Sequence, residues 1–184
     1  MAEQLSKNLK FQNRMLKVFD LADRDKDGVL KMADVLKYVE TLKMFTKKTD
    51  IELDPLRAAI RSMYGAMGVT EEGVRREYWV KNMSHFVIME LERLEKAEKL
   101  LMHRMLDSFY DSLDMNEENN LSIQEFGVFV KCFDWPLEVV TCFFAFADKS
   151  GEGKIEWNEL YDLLVRFWYK LEDGVIDHMY GGHF

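Results

Sequence analysis

Between Asp23 and Asp34 the chain reads DRDKDGVLKMAD. Carboxylates stand at Asp23, Asp25 and Asp27, glycine follows at Gly28, and Val29 and Leu30 form an apolar pair. Aspartates at every second position repel one another at short range. Something positive is therefore expected between them. It also shapes the surroundings, because the loop must curl round one point and be held by rigid elements on both sides.

Counting Asp23 as position 1 of a twelve-residue loop puts Asp25 at 3, Asp27 at 5, Gly28 at 6, Leu30 at 8 and Asp34 at 12. This is the calcium loop of an EF-hand. Position 6 takes a backbone conformation that glycine adopts without penalty. Position 7 offers only a carbonyl, so Val29 is acceptable there. Leu30 points to the core and pairs with a partner loop, and Asp34 closes the cage from the exiting helix. Aspartate is one methylene shorter than the usual glutamate, which makes a bidentate grip on Ca²⁺ harder to reach. Mg²⁺ accepts fewer protein oxygens, so this first site is expected to be weak for Ca²⁺ or to carry Mg²⁺.

The pattern recurs twice. DMNEENNLSIQE, residues 114–125, offers Asp114, Asn116, Glu118, the carbonyl of Asn120, and Glu125. Its position 6 is Asn119, the residue type that enters the left-handed region most readily after glycine. DKSGEGKIEWNE, residues 148–159, offers Asp148, Ser150, Glu152, the carbonyl of Lys154, and Glu159, with Gly153 at position 6. Three ion sites are expected. EF-hands pair through their eighth residues, so the first loop needs a partner. MGVTEEGVRREY, residues 67–78, supplies one if Val74 is position 8. Met67, Val69 and Tyr78 then stand where ligands belong, and this second hand keeps its shape without an ion.

Helix-forming residues dominate, only Pro55 and Pro136 interrupt, and no long alternating strand pattern occurs. The fold class is all-α, a compact four-EF-hand protein of two packed pairs: residues 1–95 with loops 23–34 and 67–78, and residues 96–184 with loops 114–125 and 148–159. Helices are expected at about 5–21, 32–45, from Asp54–Pro55 to about 67, and from Trp157 to about 171. Residues 43–54 read as a connection, residues 75–113 as two helices with a bend near MELERLEKAEK, and Asp134–Trp135–Pro136 as a break.

The formal charge of −8 disfavours nucleic acid and anionic membrane as partners. No apolar run is long enough to span a bilayer, and the N-terminal MAEQLSKNLKF lacks the apolar core of a signal peptide. Cys132 and Cys142 lie in apolar surroundings that suit buried reduced thiols, which points to the cytoplasm. His85, His103, His178 and His183 have no metal-ligand spacing, and no nucleophile–base arrangement or phosphate loop stands out, so no enzymatic activity is expected. Trp79, Trp135, Trp157 and Trp168 read as core aromatics, with a cavity lining as the alternative. Met63, Met67, Met83, Met89, Met102 and Met105 read largely as core filler.

With three ion-binding loops and a degenerate second hand, the chain resembles the invertebrate sarcoplasmic calcium-binding proteins, whose superfamily includes calexcitins and the calcium-regulated photoproteins. EENNLSIQEFGVF, residues 117–129, carries the local match. The resemblance implies a compact, cytosolic, monomeric buffer of Ca²⁺ and Mg²⁺. FWYKLED…MYGG, residues 167–182, resembles the end of coelenterazine photoproteins. Tyr180 matches their tyrosine, Leu164 stands where they carry a histidine, and the chain ends in His183–Phe184 where they end in proline. Light emission is therefore not expected. The alternatives to a buffer are a sensor that exposes an apolar face to a protein target and a carrier of an apolar small molecule between the lobes.

Overall fold

A computed structural model describes residues 1–170. Helix α1 (Ala2–Ser6) is followed by α2 (Leu9–Ala22), whose first turn is capped by Asn8 Oδ1 accepting from the Phe11 N–H at 3.0 Å. The single helix expected from residue 5 is thus broken at Lys7–Asn8, because an asparagine cap competes locally with continuation. Loop one leads through strand β1 (Val29–Leu30) into α3 (Met32–Thr46).

Helix α4 (Asp50–Ala66) starts earlier than Asp54–Pro55. Thr49 and Glu52 form a reciprocal capping box, with the Glu52 carboxylate accepting from the Thr49 N–H at 2.8 Å. That box outcompetes the Asp–Pro signal, and Pro55 becomes the sixth residue of the helix, which forgoes one backbone bond, to the Ile51 carbonyl, at that point. Strand β2 (Val74–Arg75) and α5 (Arg76–Glu95) follow. The bend left open by the sequence lies at residues 96–100, just before α6 (Leu101–Leu113).

Helix α7 (Ile123–Cys132) ends ahead of Asp134–Trp135–Pro136, as anticipated, and a 3₁₀ turn (Leu137–Val139) leads into α8 (Val140–Ala147). Helix α9 (Trp157–Val165) is extended by a π-helical stretch, Arg166–Lys170. The expected helix end at Leu171, together with Tyr180, His178 and His183, lies outside the described residues.

The loops are joined in pairs. β1 and β2 run antiparallel with Leu30 opposite Val74, the register read from the eighth positions, and Leu121 bridges Ile155 in the same way. Every eighth residue is buried, with Leu30, Leu121 and Ile155 fully so. The second loop places Met67 and Val69 in the core, at 0% and 1% exposure, so apolar packing fills the side where an ion would sit. The result is an all-α body of four EF-hands in which α4 packs on α6 and α3 on α7, closing one continuous core. All six methionines singled out above lie in or against that core. No helix among the described residues is long and apolar enough to cross a membrane.

Cys132 is buried, and burial pushes its thiol up to about 12, whereas Cys142 is exposed on α8. The expectation of two buried thiols fails at Cys142 because α8 turns Phe143, Phe144 and Ala147 inward and leaves residue 142 on the outer face.

Gly73 holds the loop pair together. Its φ is +86°, and a Cβ there would lie 2.6 Å from Val29 Cγ1 and 2.9 Å from the Leu30 carbonyl oxygen. Gly73→Ala is expected to destabilise the fold by about 1–3 kcal/mol, roughly 2–12 °C in a thermal melt. A melt unchanged within 1 °C would show that the β1–β2 pair tolerates separation.

Candidate metal loops and an apolar cavity

In the first loop the Asp23, Asp25 and Asp27 side chains offer carboxylate oxygens within 4.8 Å of one another. The backbone organises them: the Gly28 N–H donates to Asp23 Oδ2 at 2.9 Å, and the Val29 N–H to Asp27 Oδ1 at 2.8 Å. Burial, reinforced by Asp25 and Asp27, raises the Asp23 carboxyl above its usual range although the Gly28 N–H opposes the shift. Lys31 reaches Asp27 and holds that carboxyl below its usual range.

The third loop repeats the arrangement. Asp114 accepts from the Glu118 N–H at 3.1 Å and the Asn119 N–H at 2.8 Å. In the fourth, Asp148 accepts from Gly151, Glu152 and Gly153, the last at 2.8 Å. Partial desolvation works to raise Asp148, but these N–H groups and the Ser150 hydroxyl outweigh it and hold the carboxyl low. Position 6 has positive φ in all three loops, including Asn119 at +57°. Position 4 does too, at Lys26, Glu117 and Gly151, a requirement that the residue types at 26 and 117 do not announce.

The twelfth residues differ as their lengths dictate. Glu125 accepts from the Met115 N–H at 2.9 Å with one oxygen and from the Ser122 N–H at 2.8 Å with the other. Glu159 likewise joins the Ser150 N–H and the Glu156 N–H, both at 3.0 Å. Each glutamate therefore spans from its exiting helix back to the front of its loop. Among the described residues Asp34 accepts from the Lys31 N–H and Lys37 Nζ, both at 3.0 Å, and no such hydrogen bond ties it to the first half of its loop.

Where helices of the two EF-hand pairs meet lies a cavity with a mainly apolar lining. Tyr38 of α3, Tyr64 of α4, Phe109 of α6, Phe129 of α7, and Phe133 and Trp135 just beyond α7 make its aromatic wall. The rings interlock, Tyr38 against Phe133 at 4.8 Å and Phe133 against Trp135 at 5.2 Å between centroids. Met63, Met105, Leu164 and Trp168 are among the other lining residues. The open space at its centre is ≈ 40 Å³, room for a water-sized group. Its hydroxyls, Tyr38 and Tyr64, lie 3.4 Å apart, and burial pushes the Tyr64 phenol up to about 12.

The four tryptophans therefore divide. Trp135 and Trp168 line the cavity, Trp79 is core with its indole N–H donating to the Met15 carbonyl at 2.7 Å, and Trp157 stacks on Tyr161 beside His103. His85 is exposed. Sequence reasoning missed Tyr38, Tyr64, Phe109 and Phe133, whose helical spacing is that of any core residue.

No family model matches the chain. Berovin, a light-sensitive photoprotein of the ctenophore Beroe abyssicola, is 34% identical; its Mg²⁺-loaded apoprotein superposes with a TM-score of 0.78 over 85% of this chain and 87% of that one. Another light-sensitive photoprotein of known structure is 30% identical, with a TM-score of 0.81 over 90% and 86% of the two chains. Mitrocomin of Mitrocoma cellularia is 21% identical over 181 residues, 95% of this chain and 90% of that protein. Likeness at this level along nearly the whole chain defines the class: this is an EF-hand protein of the calcium-binding photoprotein family.

Proposed function

We propose that the protein binds Ca²⁺ at loops one, three and four and holds an apolar small molecule in the cavity where the two EF-hand pairs meet, releasing or transforming it when Ca²⁺ arrives. The ligands are Asp23, Asp25, Asp27, the Val29 carbonyl and Asp34; Asp114, Asn116, Glu118, the Asn120 carbonyl and Glu125; and Asp148, Ser150, Glu152, the Lys154 carbonyl and Glu159. Without an ion the crowded carboxylates repel; binding removes that repulsion and pins the entering and exiting helices. Three ions would move the formal charge from −8 to −2. The short reach of Asp34, already engaged by Lys37, supports a first site that favours Mg²⁺. All three loops of berovin bind Mg²⁺, which supports Mg²⁺ as a competitor here.

The observation that carries the reading is the aromatic cavity, built from both loop pairs and furnished with two phenols. A ligand of ordinary size fills about 300 Å³ or more. The flexible Met63 and Met105 are the side chains able to give way to it. The second reading is a cytoplasmic buffer of the sarcoplasmic type, favoured by the narrowness of that space. Leu164 lines the cavity where a histidine would offer a proton-handling ring, so any proton transfer would fall to the tyrosines.

The test is uptake of coelenterazine in the dark by the metal-free protein, followed by a Ca²⁺ pulse with light and ligand release recorded. Stoichiometric uptake, reversed or discharged by Ca²⁺, supports the carrier, and a flash makes it a light emitter. Three bound Ca²⁺ without any uptake would leave the buffer.

A further inference from the structure

We propose that Arg24 couples the first metal loop to the cavity wall, a role that rests on loop one binding an ion as above. Arg24 is position 2 of that loop, between Asp23 and Asp25. Its side chain leaves its own hand. Nε pairs with Asp134 Oδ2 at 2.9 Å, Nη2 donates to the Cys132 carbonyl at 2.8 Å, and the guanidinium lies 5.5 Å from the centre of the Tyr38 ring. The side chain is only 18% exposed. Its planar fork thus engages two groups at once, the geometry at which arginine is not replaceable by a point charge.

The far end of this clamp is the hinge of the cavity wall. Asp134 adopts φ +53°, ends α7 and sits between Phe133 and Trp135, both wall residues. The near end also touches the wall, because Tyr38 packs on Phe133. The other loops lack such an arm. Position 2 is Gly68 in the second, Met115, 44% exposed, in the third, and Lys149 in the fourth, which pairs with Asp162 on the exiting helix of its own hand. When an ion draws Asp23 and Asp25 together, the residue between them must reorient. Arg24 carries that reorientation to residues 132–135. Coupling of this kind is reciprocal, so a ligand against Phe133 and Trp135 alters ion affinity at loop one.

The experiment isolates loop one in the full-length chain carrying Glu125→Gln and Glu159→Gln. Ca²⁺ and Mg²⁺ binding are each followed by calorimetry, and the wall by hydrogen exchange of residues 130–135, where the Asp134 and Trp135 N–H groups bond to the Lys131 and Val130 carbonyls. Filling loop one is expected to change exchange in that segment by about tenfold, within the usual range of coupling. Arg24→Gln abolishes the change while the ion still binds, Arg24→Lys restores it in part, and Asp134→Asn adds nothing further to Arg24→Gln. An unchanged response in Arg24→Gln overturns the coupling and leaves the metal assignment standing. Absence of any bound ion in the isolating background overturns both.

Discussion

Glu125→Gln is expected to remove the ion at the third loop. Glu125 is 2% exposed and both its oxygens are engaged, one by the Met115 N–H and the other by the Ser122 N–H and hydroxyl. It therefore acts twice, as the closing group of the loop and as the third residue of a capping box that starts α7. An amide keeps an oxygen for Ser122 and turns an N–H₂ group toward the Met115 N–H, donor against donor. That clash costs about 1–3 kcal/mol in the metal-free protein. With Ca²⁺ the loss is larger, since a neutral side chain replaces a charged, two-oxygen grip. Affinity at this loop should fall about 100-fold or more, the upper end of what even outer partners of a metal contribute. In excess Ca²⁺ that is a further loss of about 2.7 kcal/mol. Calorimetry should count two ions where the parent binds three, and the gap between the melts with Ca²⁺ and with chelator should narrow. Three ions of unaltered affinity would mean that Glu125 is a helix cap only.

The same residue shows why so much of the candidate site was legible in the sequence. In loops one, three and four, position 9 is the N-cap of the exiting helix and position 12 its third residue. One carboxylate thus satisfies the needs of helix start and ion cage together. A twelve-residue spacing imposed by both is hard to mimic by chance. The pairing of Leu30 with Val74 followed from the same frame, because an apolar eighth residue has few other places to go.

What escaped was either local competition or distance. Thr49–Glu52 and Asp54–Pro55 are both good helix starts, and the reciprocal Thr49–Glu52 box, with Leu53 buried one residue beyond it, decides for the earlier one. The positive φ at Lys26 and Glu117 is forced by closure of the loop, not by the residues that adopt it. The cavity was nameable as a possibility, but its lining was not. Tyr38 and Phe133, or Arg24 and Asp134, come together only once α3 has packed on α7. Each reads in isolation as core or as solvated charge.

Phe129→Ala is expected to have the largest effect on stability. Phe129 stands at the centre of the wall, 5.0 Å from Phe133, 5.7 Å from Phe126, 5.9 Å from Phe109 and 6.0 Å from Trp135 between ring centroids. It is 2% exposed. Truncation removes its transfer energy and leaves rings that cannot all close inward, so the loss should be about 3–5 kcal/mol, roughly 6–20 °C in a melt. The direction of the accompanying change in binding separates the two functions. The existing space of ≈ 40 Å³ lies against this ring, so removing it widens a cavity lined by apolar atoms. Such a void takes up a small aromatic molecule from solution. If the wall exists to hold a ligand, the variant should recover stability when coelenterazine or a simple arene is added, and should load faster than the parent. If the wall is only core, the variant melts low whatever is added, and Ca²⁺ binding at the three loops shifts only through the lost stability. A loss below 1 kcal/mol would show that the rings re-pack into the gap, and that the interface between the loop pairs is a deformable surface unsuited to fixing a ligand's orientation.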